Sequence, residues 1–168
     1  MELVEVTVYR LEMLAPSHRC VPAPRNDLTV VHFSSPTVPY YRSLYDTVGK
    51  EYHWLSRRKM SDDALATLLG DPGNELHVLY VAGMPAGFAE LDRRQHDEIE
   101  LVQFGLMAPF IGQGLGKWFL QWAIDKAGSY GPKRFWLHTC TLDHSAALPN
   151  YTKTGFVPVK QEAIRREL

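Results

Sequence analysis

Only two cysteines, Cys20 and Cys140, occur in the 168 residues, so at most one bridge could form and a disulfide-stapled scaffold is excluded. Long apolar runs are missing too. The longest uncharged stretch, Leu101–Gly116, is interrupted by Gln103, Pro109 and several glycines, and it falls short of the roughly 18 apolar residues of a membrane span. No excess of one charge exists: 18 basic and 19 acidic side chains give a formal net charge of -1. Without a basic lobe to release counterions, nucleic acid is not an expected partner. The opening residues, Met1 to Glu5, lack the basic and apolar regions of a signal peptide. There is no internal repeat, low-complexity segment or flexible linker. These absences predict a soluble, cytoplasmic chain with free thiols. What remains is ordinary globular composition, with 45% hydrophobic and 22% charged residues, and a length that predicts one domain over residues 1–168. A chain of this size buries about two thirds of its unfolded surface, enough for a core without metal or disulfide.

Val4–Tyr9 alternates apolar and polar residues and reads as a short strand, followed by a stiff connector to Asp27 carrying Pro16, Pro22 and Pro24. Leu28–Phe33 is a strand. Tyr40–Trp54 and Ser61–Leu69 read as helices, the second with Ser61 as N-cap and Asp62 and Asp63 in its first turn. Leu76–Ala82 and Ala86–Asp92 form a hairpin about Gly83-Met-Pro85, and Glu98–Met107 is a third strand. In that strand Ile99 and Leu101 share a face, but the apolar phase then moves to Val102, Phe104 and Leu106. Because the side-chain period is two, this slip predicts a β-bulge. Leu115–Ala127 is an amphipathic helix with Lys117, Gln121 and Asp125 on its polar face. Arg134–Leu142 is a strand, Asp143–Lys153 a short helix stopped by Gly155, and Phe156–Val159 a last strand. The fold class is therefore α/β (α+β), with a mixed, mostly antiparallel sheet flanked by helices. Residues 1–27 form an N-terminal strand and connector, 28–75 a helical region and 76–159 the core.

Strand, then Gly112-x-Gly114-x-Gly116, then helix is an anion-binding arrangement, since glycines admit close approach and the first helical N–H groups face the ligand. A Walker loop needs glycine at Ile111 and Ser or Thr after Lys117, where Trp118 stands. A dinucleotide fingerprint needs its third glycine three residues after Gly114, where Lys117 stands, and an acidic residue about 20 positions on, where Trp136 falls. Both are excluded. The pyrophosphate of coenzyme A remains.

From Leu76 to Val159 the sequence resembles the GNAT superfamily of acyl-CoA-dependent N-acyltransferases. That family places a Gln/Arg-x-x-Gly-x-Gly/Ala loop after a bulged strand, and Ile111-Gly-Gln-Gly114-Leu-Gly116 occupies it here. Ile111 departs from the usual Gln or Arg. The family's second segment appears as Tyr151-Thr-Lys153-Thr-Gly155-Phe156, with His144 where an Asn is common. The resemblance implies acetyl-CoA as co-substrate, with no metal, and direct transfer to an amine. Its implied coenzyme contacts are Gly105, Leu106 and Met107 at the strand end, the loop Ile111, Gly112, Gln113, Gly114, Leu115, Gly116 and Lys117, and His144 and Tyr151. A backbone N–H of Gly105 or Leu106 would polarise the thioester carbonyl. An attacking alkylamine has a pKa near 10 and needs a base. Glu100 falls where some relatives carry theirs, Glu90 is the second choice, and ordered water is the third. Tyr151 is the implied proton donor to the thiolate, aimed by a kink at Pro149.

His138-x-Cys140-x-x-Asp143-His144 contains metal-ligating residue types. Alternation puts His138 and Cys140 on one face while Asp143 is placed to cap the next helix, so no metal is expected. The aromatic group Tyr40, Tyr41, Tyr45, Tyr52 and Trp54 reads equally as core or as a cover for the acceptor, and Arg57-Arg-Lys59 as a solvated face. The expected function is acetyl transfer to a small primary amine, the alternatives being a non-catalytic acyl-CoA-binding module or transfer to a hydroxyl. Relatives continue into another strand after the position of Phe156. Val4–Tyr9 is expected to cover that edge, in its own chain or in a partner's, which makes a homodimer possible.

Overall fold

The computed structural model describes residues 2–168. These residues form one open sheet of seven strands: β1 (Leu3–Leu14), β2 (Leu28–Phe33), β3 (Asn74–Val81), β4 (Met84–Asp92), β5 (Glu98–Leu106), β6 (Arg134–Cys140) and β7 (Val157–Glu167). The spatial order is β2-β3-β4-β5-β6-β1-β7. All neighbours are antiparallel except β5 and β6, which run parallel. Helices α1 (Val38–Gly49) and α2 (Asp62–Gly70) pack on one face with Leu76, Val78 and Phe88. Helix α3 (Leu115–Gly128) covers the other face with Leu79, Leu91, Phe135 and Leu137, and α4 (Ala147–Thr154) adds Tyr151 to that layer. The mixed, mostly antiparallel α/β architecture is the expected one.

Local chemistry starts α2 where the sequence predicts, whereas the helix expected over Tyr40–Trp54 starts at Val38 and ends at Gly49. Thr37 accepts a hydrogen bond from the Tyr40 N–H at 3.3 Å, and Pro39 sits in the first turn of α1, where an N–H has no partner to lose. Ser61 does the same for α2 through the Ala64 N–H, with Asp62 and Asp63 behind it. The slip in β5 is a bulge. Glu90 pairs with Gln103 but Leu91 pairs with Leu101, which leaves Val102 as the extra residue. Ile99 and Leu101 therefore face α3 before the bulge, and Phe104 and Leu106 face it afterwards.

Three expectations are corrected. The last strand does not stop at Val159: β7 runs to Glu167, although most of its residues are exposed. With water on both faces it carries no alternation to read, and its ladder comes from β1. The strand expected over Val4–Tyr9 is longer, Leu3–Leu14, and lies inside the sheet between β6 and β7 of its own chain. It does cover the edge of β6, while β7 becomes the outer strand. Finally, α4 begins at Ala147 rather than Asp143, with Ala146 as an N-cap that makes no side-chain bond. Pro149 falls in its first turn, where no intrahelical N–H is needed, so it imposes no kink.

The connector, residues 15–27, has no regular structure and is held by one carboxylate. Asp125 of α3, 6% exposed, accepts bonds from the Ser17 hydroxyl, the Arg19 and Val21 N–H groups and the Gln121 amide. Gly128 has no room for a Cβ, because it would collide with the Ser17 carbonyl oxygen. From there the connector reaches the glycine loop, where Arg25 Nη1 donates to Gln113 Oε1 at 2.8 Å.

Candidate active site

Strands β5 and β6 stay paired only as far as Glu100 and Trp136. Beyond that point they separate, and a cavity of about 810 Å3 fills the gap. Its walls are Leu101–Leu106 on one side and His138–Cys140 on the other. The glycine loop and α4 close one end, and the segment after α1 closes the other.

The loop end is built from backbone. Gly112 and Gly114 have φ of 86 and 75, a left-handed region that would strain any other residue by about 1–2 kcal/mol. Gly114 is the N-cap of α3 and supplies no side chain to its first N–H groups. Those donors, the helix dipole and Lys117 on the wall form a site for an anion. A Cβ on Gly116 would meet only Leu106 Cδ1 at 3.6 Å, so the space beside the helix start is open. The residues present fit the pyrophosphate of coenzyme A. Of the contacts expected from the sequence, Gly105, Leu106, Ile111, Gly112, Gly114, Gly116, Lys117, His144 and Tyr151 line the cavity. Three are placed elsewhere. Leu115 is a core side chain, Met107 packs against the α1 layer, and Gln113 is occupied by Arg25 and by the Pro109 carbonyl.

Strand alternation separates the two candidate backbone donors. The Met107 N–H donates to the Ala86 carbonyl at 2.7 Å, toward β4. Successive N–H groups in a strand point to opposite sides, so Leu106 and Phe104 direct theirs toward the gap while Gly105 turns back to β4. Gly105 is required for another reason: a Cβ there would lie 2.6 Å from Val48 Cγ1. Its lack of a side chain lets α1 and Trp54 settle on β5.

Tyr151 is buried at the α4 end, and burial first, then the charge of Asp143, pushes its phenol well above the ordinary value. It is protonated at neutral pH and makes no hydrogen bond to another described residue. Asp143 does not cap α4. Its carboxylate accepts from the Thr139 hydroxyl, the Cys140 N–H at 3.0 Å and Trp54 Nε1 at 3.4 Å, which ties the end of β6 to the segment over the far end. Burial and that same carboxylate raise the Cys140 thiol, which argues against a thiolate nucleophile.

The far end is built from side chains. Tyr45, Tyr52, Trp54, Ser56 and Lys59 come from α1 and the segment after it, Gln103 from β5, His138 and Cys140 from β6, and Arg166 from β7. Glu100 is near but stands behind the wall: its Oε1 lies 3.5 Å from Nδ1 of His138, and it is the histidine that faces the cavity. Sequence reasoning weighed His138 only as a metal ligand. The signal available was its place two residues beyond Trp136, just past the last paired position.

Two further expectations change. Glu90, the second-choice base, is fully buried away from the cavity and binds Tyr41, Arg57 Nη2 at 2.6 Å and Asn74 at 3.2 Å. Arg57 consequently turns inward and is no solvated face, whereas Arg58 pairs with Asp46 on the surface. The aromatic group divides: Tyr41 is core and Tyr40 bonds Tyr80, but Tyr45, Tyr52 and Trp54 line the cavity.

The family model described as the acetyltransferase (GNAT) family matches residues 40–156. The chain belongs to that family. No curated protein matches it. Among solved structures, a GCN5-related N-acetyltransferase from Kribbella flavida superposes with a TM-score of 0.65 at 17% identity, covering 97% of this chain and 58% of that one. A functionally unknown conserved protein from Staphylococcus epidermidis gives 0.69 at 18% identity, covering 96% and 61%. The GNAT chain thus spans about three fifths of the length of these two. An aminoglycoside acetyltransferase from an uncultured soil metagenomic sample, in complex with sisomicin, gives 0.62 at 14% identity, covering 77% and 88%. At these identities the likeness concerns the fold. Within this GNAT fold the bulge, the parting strands and the uncapped α3 all converge on the one cavity, and no helix among the described residues is long and apolar enough to cross a membrane.

Proposed function

We propose that this GNAT chain transfers an acetyl group from acetyl-CoA to a small primary amine by direct attack. The observation that carries the reading is the continuity of one cavity from the uncapped α3 start, through the gap between β5 and β6, to a polar end facing away from the loop. When bound, acetyl-CoA supplies the activated thioester. The N–H groups of Gly116 and Lys117 and the Lys117 side chain hold its phosphates, and the connector's bond from Arg25 to Gln113 steadies the loop. The Leu106 N–H donates to the thioester carbonyl oxygen and stabilises charge that develops there.

An ammonium cannot attack, so a base must take a proton from the acceptor. His138 fills that role in this reading, with Glu100 as the positioning residue that orients the ring. Glu100 therefore keeps the place expected from the sequence but acts through its neighbour. Tyr151 holds the proton that the departing thiolate takes up, and its burial keeps that proton in place until then. The test is release of free thiol from acetyl-CoA with a panel of primary amines, beside calorimetric binding of acetyl-CoA. Binding with amine-dependent thiol release is the expected result. Binding without release from any amine would favour a non-catalytic acyl-CoA-binding module, and no binding would overturn the reading.

A further inference from the structure

The charges lining the cavity are unbalanced. Asp143 is its lone carboxylate among the described residues, and three donors already occupy it. Against it stand Lys59, Lys117, Lys153 and Arg166. Lys117 and Lys153 belong to α3 and α4, at the loop end, where coenzyme phosphates would meet them. Lys59 and Arg166 belong to the opposite end, and neither makes an ion pair with a described residue. The half-buried Arg166 guanidinium donates only to the Cys140 sulfur, at 3.9 Å, a weak acceptor.

Register places Arg166 on the acceptor side. It pairs with Val4 on β1, whose even-numbered residues share a face with His138 and Cys140 through Arg10 and Val8. This is the face of the sheet that carries Glu100 and α1, opposite α3. A partly desolvated guanidinium in a concave wall, with its fork of donors unmatched, is suited to a planar or tetrahedral oxyanion. A second cation at the same end, the exposed Lys59 of the segment after α1, adds to the field and opposes polycations entering from solvent.

We infer that Arg166 and Lys59 form an anion subsite in the acceptor end, so the acceptor is a small amine that also bears an oxyanion, a carboxylate or a phosphate, and not a polyamine or aminosugar. This rests on the acetyl-transfer reading and names its substrate class. In the reaction the amine nitrogen forms a bond to the acetyl carbon, the carbon–sulfur bond breaks, one amine proton passes to His138, and the thiolate takes the Tyr151 proton. The oxyanion stays unreacted and fixes the approach of the nitrogen.

The experiment measures thiol release with matched pairs, amino acids against their carboxamides and aminoalkyl phosphates against the corresponding amino alcohols, with spermidine as the polycation. The pairs also decide which oxyanion is preferred. The expected result is at least a 10-fold higher kcat/KM for the anionic member of one pair. Arg166→Gln should remove that preference chiefly through the KM of the anionic acceptor and leave the acetyl-CoA KM within twofold. Lys59→Gln should give the same pattern, less strongly. Equal or better turnover of the neutral partners or of spermidine would overturn the subsite while acetyl transfer stood. So would acetyl-CoA binding with no turnover of any anionic amine, or a preference that survives Arg166→Gln. Failure of acetyl-CoA to bind would instead remove the underlying reading, and the subsite with it.

Discussion

The two ends of the cavity are made of different material. The loop end uses main chain: left-handed glycines, an uncapped helix start and a strand N–H left without a partner by the parting of β5 and β6. The acceptor end uses side chains drawn from α1, the segment after it, β5, β6 and β7. Backbone donors bind what every peptide unit can bind, so the loop end can be shared across a superfamily whatever its side chains. Side chains from five places can vary one by one, so on the proposed reading specificity belongs to the acceptor end.

That contrast can be broken most severely at Gly116. Gly116→Glu should weaken acetyl-CoA binding by at least about 1,000-fold, whereas Gly116→Ala should stay within about threefold, since its Cβ has ordinary room. Calorimetric titration reads both, and an unaffected glutamate variant would mean that the loop does not hold the phosphates. Both ends also depend on the scaffold, which acid should loosen. Glu75 is nearly fully buried; burial opposes its charge, but bonds from His77, Tyr130 and Arg93 outweigh this and bring its carboxyl down from 4.5 to about 2. A lowered native pKa stabilises above the unfolded value and is lost as pH falls through the native one. On the order of 3 kcal/mol should therefore disappear between about pH 4.5 and 2, read by denaturant unfolding, and Glu75→Gln should flatten that dependence. The two ends are best compared above pH 5.

Within that range, Tyr151→Phe should lower kcat about 100-fold and leave acetyl-CoA affinity intact. Loss of affinity instead would make Tyr151 part of the binding wall and blur the contrast. At the acceptor end, His138→Ala should lower kcat/KM about 30-fold with acetyl-CoA affinity kept, while Glu100→Gln, which only loosens the ring's position, should cost less than about tenfold. Full turnover in His138→Ala would return the base to Glu100 or to water. The smallest effect belongs to an exposed bond: Gln113→Ala severs the link from Arg25 and should raise the acetyl-CoA Kd no more than about threefold.

The same contrast governs how much could be read from the sequence. The glycine loop is contiguous, and the bulge left its mark as a phase slip among neighbouring residues, so the loop end and the middle of the sheet were legible. The acceptor end was not. Arg57 read as surface because its partner Glu90 lies 33 residues away, and His138 had no meaning without the end of the β5–β6 pairing beside it. β7 was underestimated because a strand wet on both faces shows no alternation. The Asp125 clamp was invisible because its partners in the connector lie more than 100 residues away and two of its four donors are backbone groups, which no side-chain pattern reports.

The position of β1 has a kinetic side. Its partners are distant along the chain, with Glu12 bound to Arg134 across 122 residues and Leu3 paired with Glu167. During synthesis this strand emerges before either of its partners and finds its ladder only after both β6 and β7 have left the ribosome. Until then β6 presents an open edge and Leu3–Leu14 is a free amphipathic strand, the kind of species that exchanges between copies or collects in aggregates. High sequence separation of contacts slows folding, so closure of this half of the sheet should be the slow step in maturation of this GNAT chain.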